Sequence, residues 1–204
     1  MKAAYLKPFL VAAIIIIVDQ IIKTWVRTHM IANDPSTDIH FLGEHGMLKY
    51  TENNGMAFGW EIGGRAGKLI LTLFRILAVG AIGYGLVFLI KHHYHRGFIM
   101  CVALIFAGAL GNIIDSTFYG LLYQHRPIFE GQVVDMFYFP LIRGTYPNWF
   151  PGWHGQSFEF FEPIFNLADS AISVGVITIL IFQKTYFKHE TPEVSTPNSE
   201  VVED

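Results

Sequence analysis

The sequence predicts an all-α membrane protein, a bundle of four transmembrane helices with a small β-rich extracytoplasmic cradle. Four apolar segments are each close to the roughly 20 residues that cross a bilayer. Hydrophobic residues make up 52% of the 204 residues and charged residues only 15%, against about 25% charged in an average soluble domain. The long stretches after the first and third segments alternate aromatic and polar residues, a pattern typical of short strands. Acidic residues outnumber basic ones by 17 to 14, which argues against a nucleic-acid partner.

A single polytopic domain, residues 1–189, is predicted to hold all four spans. The spans cover about residues 8–25, 69–90, 98–114 and 164–182, and the outer loops about residues 29–66 and 115–163. The first span begins like a cleavable signal peptide, with Lys2 and Lys7 before an apolar run. No small-residue cleavage site follows it, so we interpret it as a retained span. The acidic tail, residues 190–204, is predicted to be disordered and cytoplasmic.

The basic residues that flank the spans predict how the chain is oriented, because Lys and Arg are enriched in short cytoplasmic segments. The side that receives both termini holds Lys2, Lys7, Lys91, Arg96, Lys184 and Lys188. The other side holds Lys49, Arg65, Arg126 and Arg143, spread over two much longer loops. We therefore expect both termini in the cytoplasm and the long loops outside.

Small residues recur every four positions on two of the spans. The third span has Ala103, Ala107 and Gly111, and the second has Ala81 and Gly85. Small side chains at this spacing let helix backbones approach closely. Both stripes are therefore predicted to be packing faces rather than faces turned to lipid.

Polar residues collect at one depth of the predicted bundle. Counted at about 1.5 Å per residue, Asp19, Asp115 and Asp169 fall in the outer half of the membrane. Asp135 lies in the outer loop, within an apolar run. Four amides accompany these aspartates: Asn53, Asn54, Asn112 and Asn166. Ionisable groups inside a membrane are costly and therefore mark functional candidates, here for hydrolysis or ion passage.

Structural roles are the alternative for some of these aspartates. Asp19 could pair with Lys23, one helical turn later, and for Asp19 we prefer that interpretation. Asp115 could cap or end its helix. For Asp169 a structural role fits less well, because no Lys or Arg lies within a helical turn of it.

Other hydrolytic chemistries lack their motifs. The spans contain no His-Glu-x-x-His motif of a metalloprotease and no Gly-x-Ser-x-Gly elbow of a serine hydrolase. His92, His93 and His95 lie in a short turn, where we expect them to be solvated rather than metal ligands. Cys101 is the only cysteine, so the chain forms no internal disulfide. Carboxylate chemistry remains, and four aspartates leave every pairing among them open.

Five ordered blocks make the chain resemble the prolipoprotein signal peptidases (signal peptidase II), the membrane aspartyl peptidases of bacteria. The blocks are Asp19-Gln20-x-x-Lys23, Asn53-Asn54-Gly55-Met56-Ala57-Phe58, Gly108-Ala109-Leu110-Gly111-Asn112-Ile113-Ile114-Asp115, Val133-Val134-Asp135 and Phe165-Asn166-Leu167-Ala168-Asp169-Ser170. The resemblance extends to about residue 187. One block alone carries little weight, but five in order across four spans are specific.

The resemblance implies an enzyme that cleaves diacylglyceryl-modified prolipoproteins just before the lipidated cysteine. Asp135 and Asp169 fall on the family's catalytic pair. The positions that support this pair or contact substrate and inhibitor are Asp19, Lys23, Asn53, Gly55, Asn112, Asp115, Asn166 and Ala168. The resemblance also implies no metal or organic cofactor, a monomer, and contact with membrane lipids and globomycin-type inhibitors. It places the protein in the bacterial cytoplasmic (inner) membrane, with its site facing outward.

The chain departs from the family pattern at two places. The family usually has Arg directly after the third-block aspartate, a position associated with substrate contacts, and this chain has Ser116. Arg75, Arg126 and Arg143 are the candidates to replace that arginine, and the sequence does not choose among them. The 33 residues between the two catalytic positions are more than is common, and their aromatics would form a lid or a membrane foot.

Two other classes of function stay open. A small proton-coupled transporter would also use intramembrane aspartates, and a non-catalytic membrane scaffold would use the helices alone. The chain shows no inverted repeat, and its polar cluster is confined to one side, which argues against a transporter.

Overall fold

The structure is a computed structural model of the chain, and it describes residues 2–54, 64–140, 142–149, 151–153, 155–160 and 164–187. Its helices are α1 (Lys2–His29), α2 (Gly64–Lys91), α3 (Arg96–Ile114), α4 (Gly120–Tyr123) and α5 (Leu167–Tyr186). Within the described ranges, four helical segments are long and apolar enough to cross a membrane: Tyr5–His29, Gly64–Lys91, Arg96–Tyr123 and Leu167–Tyr186. The predicted four-helix membrane fold is confirmed. Gly55 and the tail, residues 190–204, lie outside the described residues.

Two predicted span boundaries differ from the structure. The third span does not end at residue 114, because a π-helical turn, Asp115–Tyr119, continues α3 directly into α4. Asp115 is the first residue of this turn, and its carboxylate is buried beside the ammonium of Lys23. The fourth span starts later than residue 164, since a short strand precedes it and Asn166 caps the first turn of α5.

Helix α3 packs against α1, α2 and α5, and small residues bring α3 and α5 into close contact. A Cβ atom at Gly108 would collide with the carbonyl oxygen of Ala168, and one at Gly175 would lie 2.7 Å from the carbonyl oxygen of Cys101. Ala103 and Ala107 are fully buried, so the packing stripe predicted on the third span is confirmed.

The stripe predicted on the second span is wrong. A Cβ atom at Gly85 would meet nothing within 4 Å, and Ala81 is exposed. The buried residues of α2 are instead Lys68, Thr72, Val79, Leu86 and Ile90. Their spacing defines a different helix face, so Ala81 and Gly85 do not form a packing face.

A four-stranded antiparallel sheet sits at the end of the bundle where α1 finishes. Its order is β1 (Ile39–His40), β2 (Met47–Asn53), β3 (Val133–Tyr138) and β6 (Ile164–Phe165). Strands β4 (Ile142–Thr145) and β5 (Ser157–Phe160) form a separate antiparallel pair within the aromatic segment. The short strands predicted in the two outer loops are therefore present.

Apolar residues pack the sheet against the helices. Val26 and Met30 near the end of α1 pack with Tyr119 of the π-helical turn and with Val134 and Met136 of β3. Val134 and Met136 have no exposed surface, so β3 is buried where it crosses the bundle. Residue 135, between them, is held in a fixed place at the junction of sheet and helices.

Candidate active site

Asp135 lies in the middle of β3, opposite Thr51 of β2. Its side chain is 3% exposed. The amide of Asn53 donates to Asp135 Oδ2 over 3.1 Å, and the amide of Asn166 donates to Oδ1 over 2.7 Å. Both carboxylate oxygens of a buried aspartate are thus satisfied by side chains from two other elements, as burial requires.

Asp169 lies in the first turn of α5, where Asn166 is the N-cap. The Asp169 backbone N–H donates to Asn166 Oδ1 over 2.9 Å, and the Asn166 backbone N–H donates to Asp169 Oδ2 over 3.4 Å. This reciprocal capping box fixes the start of the helix. Asp169 Oδ1 accepts a further bond of 2.7 Å from the amide of Asn112. The Asp169 side chain is only half-buried, so it is open to water.

Two amides connect the carboxyl groups. Asn166 Nδ2 donates to Asp135 and lies 3.1 Å from Asn112 Oδ1, while Asn112 Nδ2 donates to Asp169. The structure therefore brings together four residues that the sequence placed on three separate blocks. The two aspartates face each other across a bridge of side-chain amides.

The pKa of Asp135 is raised to about 7. The largest cause is burial, which disfavours the charged carboxylate, and the second is the negative charge of Asp169. The hydrogen bonds from Asn53 and Asn166 lower the pKa and oppose these effects. A carboxyl group poised near neutral pH suits proton transfer.

Lys23 forms the second polar centre of this region. Its Nζ lies 2.8 Å from Asp19 Oδ2 and 2.7 Å from Asp115 Oδ2, and all three side chains are at most 1% exposed. The Lys23 ammonium also donates to Asn112 Oδ1 over 3.1 Å. The pairing expected between Asp19 and Lys23 is present, and Asp115 completes an ion triad that touches the amide bridge.

The triad also anchors the elements that carry the two facing aspartates. Asp19 Oδ1 accepts from the backbone N–H of Ala168 at the start of α5, over 3.0 Å. Asp115 Oδ2 accepts from the backbone N–H of Val134 in β3, over 3.3 Å. A Cβ at Gly111 would lie 3.3 Å from the Ala168 Cβ. These three helices and one strand therefore meet at the triad.

Two polar residues of α2, Lys68 and Thr72, were missed by the sequence interpretation, which named only Arg75 on this helix. The buried Lys68 donates to the carbonyl oxygen of Asn54 over 2.7 Å, and Thr72 donates to the carbonyl oxygen of Phe129 over 2.9 Å. Lys68, Thr72 and Arg75 are spaced four and three residues apart, so they share a helix face. That spacing of polar residues in an apolar helix is the pattern that could have revealed them.

The three arginines considered as substitutes at the site differ in position. The charge of Arg75 interacts with Asp169 and, more weakly, with Asp135. Arg126 is exposed, and the side chain of Arg143 lies outside what the structure describes. Ser116 is fully buried in the π-helical turn, and its hydroxyl has no hydrogen-bond partner within the described residues.

Comparisons with known proteins match this chain over nearly its whole length. A family described as signal peptidase (SPase) II matches residues 11–185. The lipoprotein signal peptidase of Porphyromonas gingivalis is 43% identical over 215 residues, which cover 93% of this chain and 92% of that protein. The lipoprotein signal peptidase of Amoebophilus asiaticus is 36% identical over 205 residues, which cover 95% and 85%.

Solved structures give the same result for the fold. A bacterial membrane enzyme determined by the in meso method at 2.3 Å resolution is 29% identical to this chain, with a TM-score of 0.60. The similarity covers 90% of this chain and 92% of that one. A second such structure, at 1.9 Å resolution, has a TM-score of 0.58 and covers 87% of this chain.

Proposed function

The chain belongs to the signal peptidase II family of membrane peptidases that process lipoproteins, and from that premise we propose that it is an aspartic endopeptidase. It removes the signal peptide of diacylglyceryl-modified prolipoproteins by cutting before the lipidated cysteine. One observation carries the aspartic type: Asp135 and Asp169 face each other through the amides of Asn112 and Asn166.

In the proposed mechanism the two carboxyl groups share one proton, because two neighbouring carboxylates do not both ionise easily. Asp135 carries the proton, since burial and the charge of Asp169 raise its pKa to about 7. Asp169 acts as the base. Its half-buried position at the start of α5 lets it contact the attacking water.

The reaction then proceeds in two steps. Asp169 accepts a proton from water, and the water oxygen bonds to the scissile carbonyl carbon while Asp135 protonates the carbonyl oxygen. In the second step that hydroxyl returns its proton to Asp135, the carbon–nitrogen bond breaks, and the leaving amine takes the proton held by Asp169. The pair regains its starting state, and neither step needs a metal or an organic cofactor.

Asn53, Asn112 and Asn166 hold the carboxyl groups in place. Each donates to an aspartate over 2.7 to 3.1 Å, and hydrogen bonds to a charged acceptor favour its ionised form. Lys23 fixes the orientation of the Asn112 amide by binding its oxygen, which leaves the Asn112 nitrogen to donate to Asp169. The ion triad thus acts on the reacting pair through one amide.

We assign the substrate-contacting cation to Arg75. Its charge acts on both carboxylates, and it shares the α2 face of Lys68 and Thr72. Ser116, where the family usually has arginine, is fully buried. A guanidinium beside the reacting pair can donate to peptide carbonyl oxygens of the bound substrate.

We further propose that both termini are cytoplasmic and that the site faces the outer side of the bacterial inner membrane. The basic residues near the chain ends support this orientation. Reporter fusions after Lys91 and Lys188 should then report a cytoplasmic position, and fusions near Gly64 and Gly155 an external one. The reverse pattern would place the site on the inner side and contradict this proposal.

One assay tests the proposed activity directly. Purified protein in detergent is incubated with a diacylglyceryl-modified prolipoprotein, with and without a metal chelator. We expect release of the signal peptide in both cases. A lipid-free form of the same substrate is the control and should be cut far more slowly. Loss of activity with the chelator would move the chemistry to a metal, and absence of cleavage under all conditions would contradict an endopeptidase.

A further inference from the structure

A basic groove lies at the end of the bundle opposite the carboxylate pair. It is a cavity of about 630 Å³ between the start of α1, the end of α2 and the start of α3. Lys7, His93 and Arg96 contribute its nitrogen groups, and Ile90, Ile99 and Met100 contribute its apolar wall. Lys7 precedes Asp19 by twelve residues on α1, which corresponds to about 18 Å along the helix.

The charges of the groove are not neutralised by the protein. No acidic residue lines it, and within the described residues no ion pair or side-chain hydrogen bond engages Lys7 or Arg96. Both side chains are exposed, so they are accessible to a ligand. Cations from α1 and α3, with an imidazole from the turn between α2 and α3, converge on one cavity and leave its potential positive.

The position of the groove indicates which ligand it binds. Lys7 and Arg96 lie at the starts of two membrane-spanning helices, and Ile90 lies at the end of a third. These helix ends coincide with the headgroup level of a bilayer. Ile90, Ile99 and Met100 line the same cavity beside these cations, so a molecule with a phosphate and acyl chains would meet both parts of the groove.

We propose that this groove binds the headgroup of an anionic phospholipid. The phosphate contacts Lys7 and Arg96, the ring of His93 donates a further hydrogen bond, and the acyl chains lie along the apolar wall. Basic pockets between transmembrane helices are sites for anionic headgroups. A free phosphate ion would meet the same cations but would gain nothing from Ile90, Ile99 and Met100, and therefore a lipid is the better occupant.

The test is lipid retention by the full-length protein. The protein in detergent is mixed with equal amounts of phosphatidylglycerol and phosphatidylcholine, and bound lipids are counted by native mass spectrometry. Lys7→Gln/Arg96→Gln is the test variant. Lys91→Gln/Lys184→Gln is the matched control, because it removes the same charge at the same end of the bundle but outside the groove. Thermal unfolding of each variant verifies that it is folded.

We expect the wild type and the control to prefer phosphatidylglycerol and the test variant to lose most of that preference. Each cation near an anionic lipid surface contributes about fivefold in affinity, so the double variant should lose roughly 25-fold. The single variants Lys7→Gln and Arg96→Gln should each lose about fivefold. An equal loss in the control variant, or no loss in any groove variant, would overturn the proposal.

A second arm separates the lipid from a free anion. Inorganic phosphate is added and compared with chloride at equal ionic strength. Equal release of lipid by both salts is expected, since salt only screens the charges. Tight binding of phosphate to a wild type that shows no preference for phosphatidylglycerol would show that the free ion occupies the cations and would overturn the lipid assignment. Binding is measured without substrate, so this result does not depend on the proposed peptidase activity.

Discussion

Two groups of carboxylates lie where the sheet meets the helices, and they differ in what faces them. Asp19 and Asp115 share one ammonium, that of Lys23, at 2.8 and 2.7 Å. Asp135 and Asp169 instead accept hydrogen bonds from asparagine amides. Within the described part of the chain, no direct ion pair reaches either of these two.

This difference indicates that one group of carboxylates stabilises the fold and the other carries out the reaction. An ammonium attracts both carboxylates and holds them at fixed positions. An amide donates a hydrogen bond but carries no net charge, so a buried carboxyl group next to another carboxylate can keep its proton. The triad is therefore suited to fixing helices and strand, and the amide-bridged pair to moving protons. Asn112, which contacts both Lys23 and Asp169, is where the two groups touch.

The largest expected effect comes from removing either member of the amide-bridged pair. Asp135→Asn and Asp169→Asn should each reduce turnover of a lipidated prolipoprotein by about 10⁴-fold, because neither amide can exchange a proton as a carboxyl does. The double variant should be little worse than either single one, since residues that act as a unit are not additive. Near-normal cleavage by either correctly folded variant would contradict the assignment of Asp135 and Asp169 as the reacting pair.

The stability of Asp135→Asn follows pH in a defined direction. The pKa of Asp135 is raised from 3.8 to about 7, so its contribution to stability is fully present below pH 3.8 and is lost as pH rises through about 7. The variant has no such loss. Its melting temperature relative to the wild type should therefore be higher at pH 8 than at pH 4. A constant difference between the two proteins would show that Asp135 titrates normally.

Breaking the triad should affect stability first. Lys23→Met leaves Asp19 and Asp115 buried without their cation, which should lower the free energy of unfolding by about 3–5 kcal/mol. The activity of the protein that remains folded should fall only in part, because Lys23 acts on Asp169 through Asn112. Lys91→Met, an exposed lysine, is the control and should leave unfolding unchanged. A stable but inactive Lys23→Met protein would place Lys23 in the chemistry instead.

The sequence predicted the ion pair within one helix and missed the ion pair between two helices. Asp19 and Lys23 are one helical turn apart, so their pairing follows from helix geometry. The ion pair of Lys23 with Asp115 joins residues 92 positions apart in the sequence (115 − 23), and no spacing rule reaches that far. The sequence left open that Asp115 caps or ends its helix, whereas in the structure the chain continues from Asp115 as a π-helical turn.

The five blocks predicted which polar residues belong together, but not the contacts among them. They identified Asn112 and Asn166 without indicating that the two amides bind each other. The helix face of α2 was misjudged for a related reason. Small residues at Ala81 and Gly85 predict close packing only if a partner helix lies there, and the partner, α3, contacts a different face through residues such as Leu86.

Substitutions of Arg75 test whether a cation near the amide-bridged pair contributes to substrate binding. Arg75→Gln should raise the KM for lipidated substrate by about 10- to 100-fold, the loss of one charged hydrogen bond, with a smaller effect on kcat. Arg75→Lys should recover part of the affinity because the charge remains. Arg126→Gln, which removes an exposed arginine, is the matched control and should behave as the wild type. A fall in kcat alone would assign Arg75 to the reacting atoms.

The smallest effect concerns the hydrogen bond from Asn53 to Asp135. Asp135 acts as the acid, so kcat/KM should decline as pH rises through about 7, where this carboxyl loses its proton. Asn53 donates to the carboxylate oxygen and lowers the pKa of Asp135. In Asn53→Ala that pKa should therefore rise further, and the alkaline limb of the profile should move to higher pH, by up to about one unit if the bond contributes about 1.4 kcal/mol. Asn33→Gly is the control, because Asn33 is exposed and its φ of 57° suits glycine, and its limb should stay in place. An acidic limb that moves to higher pH in Asn53→Ala, with the alkaline limb unchanged, would show that Asp135 is the base of the pair.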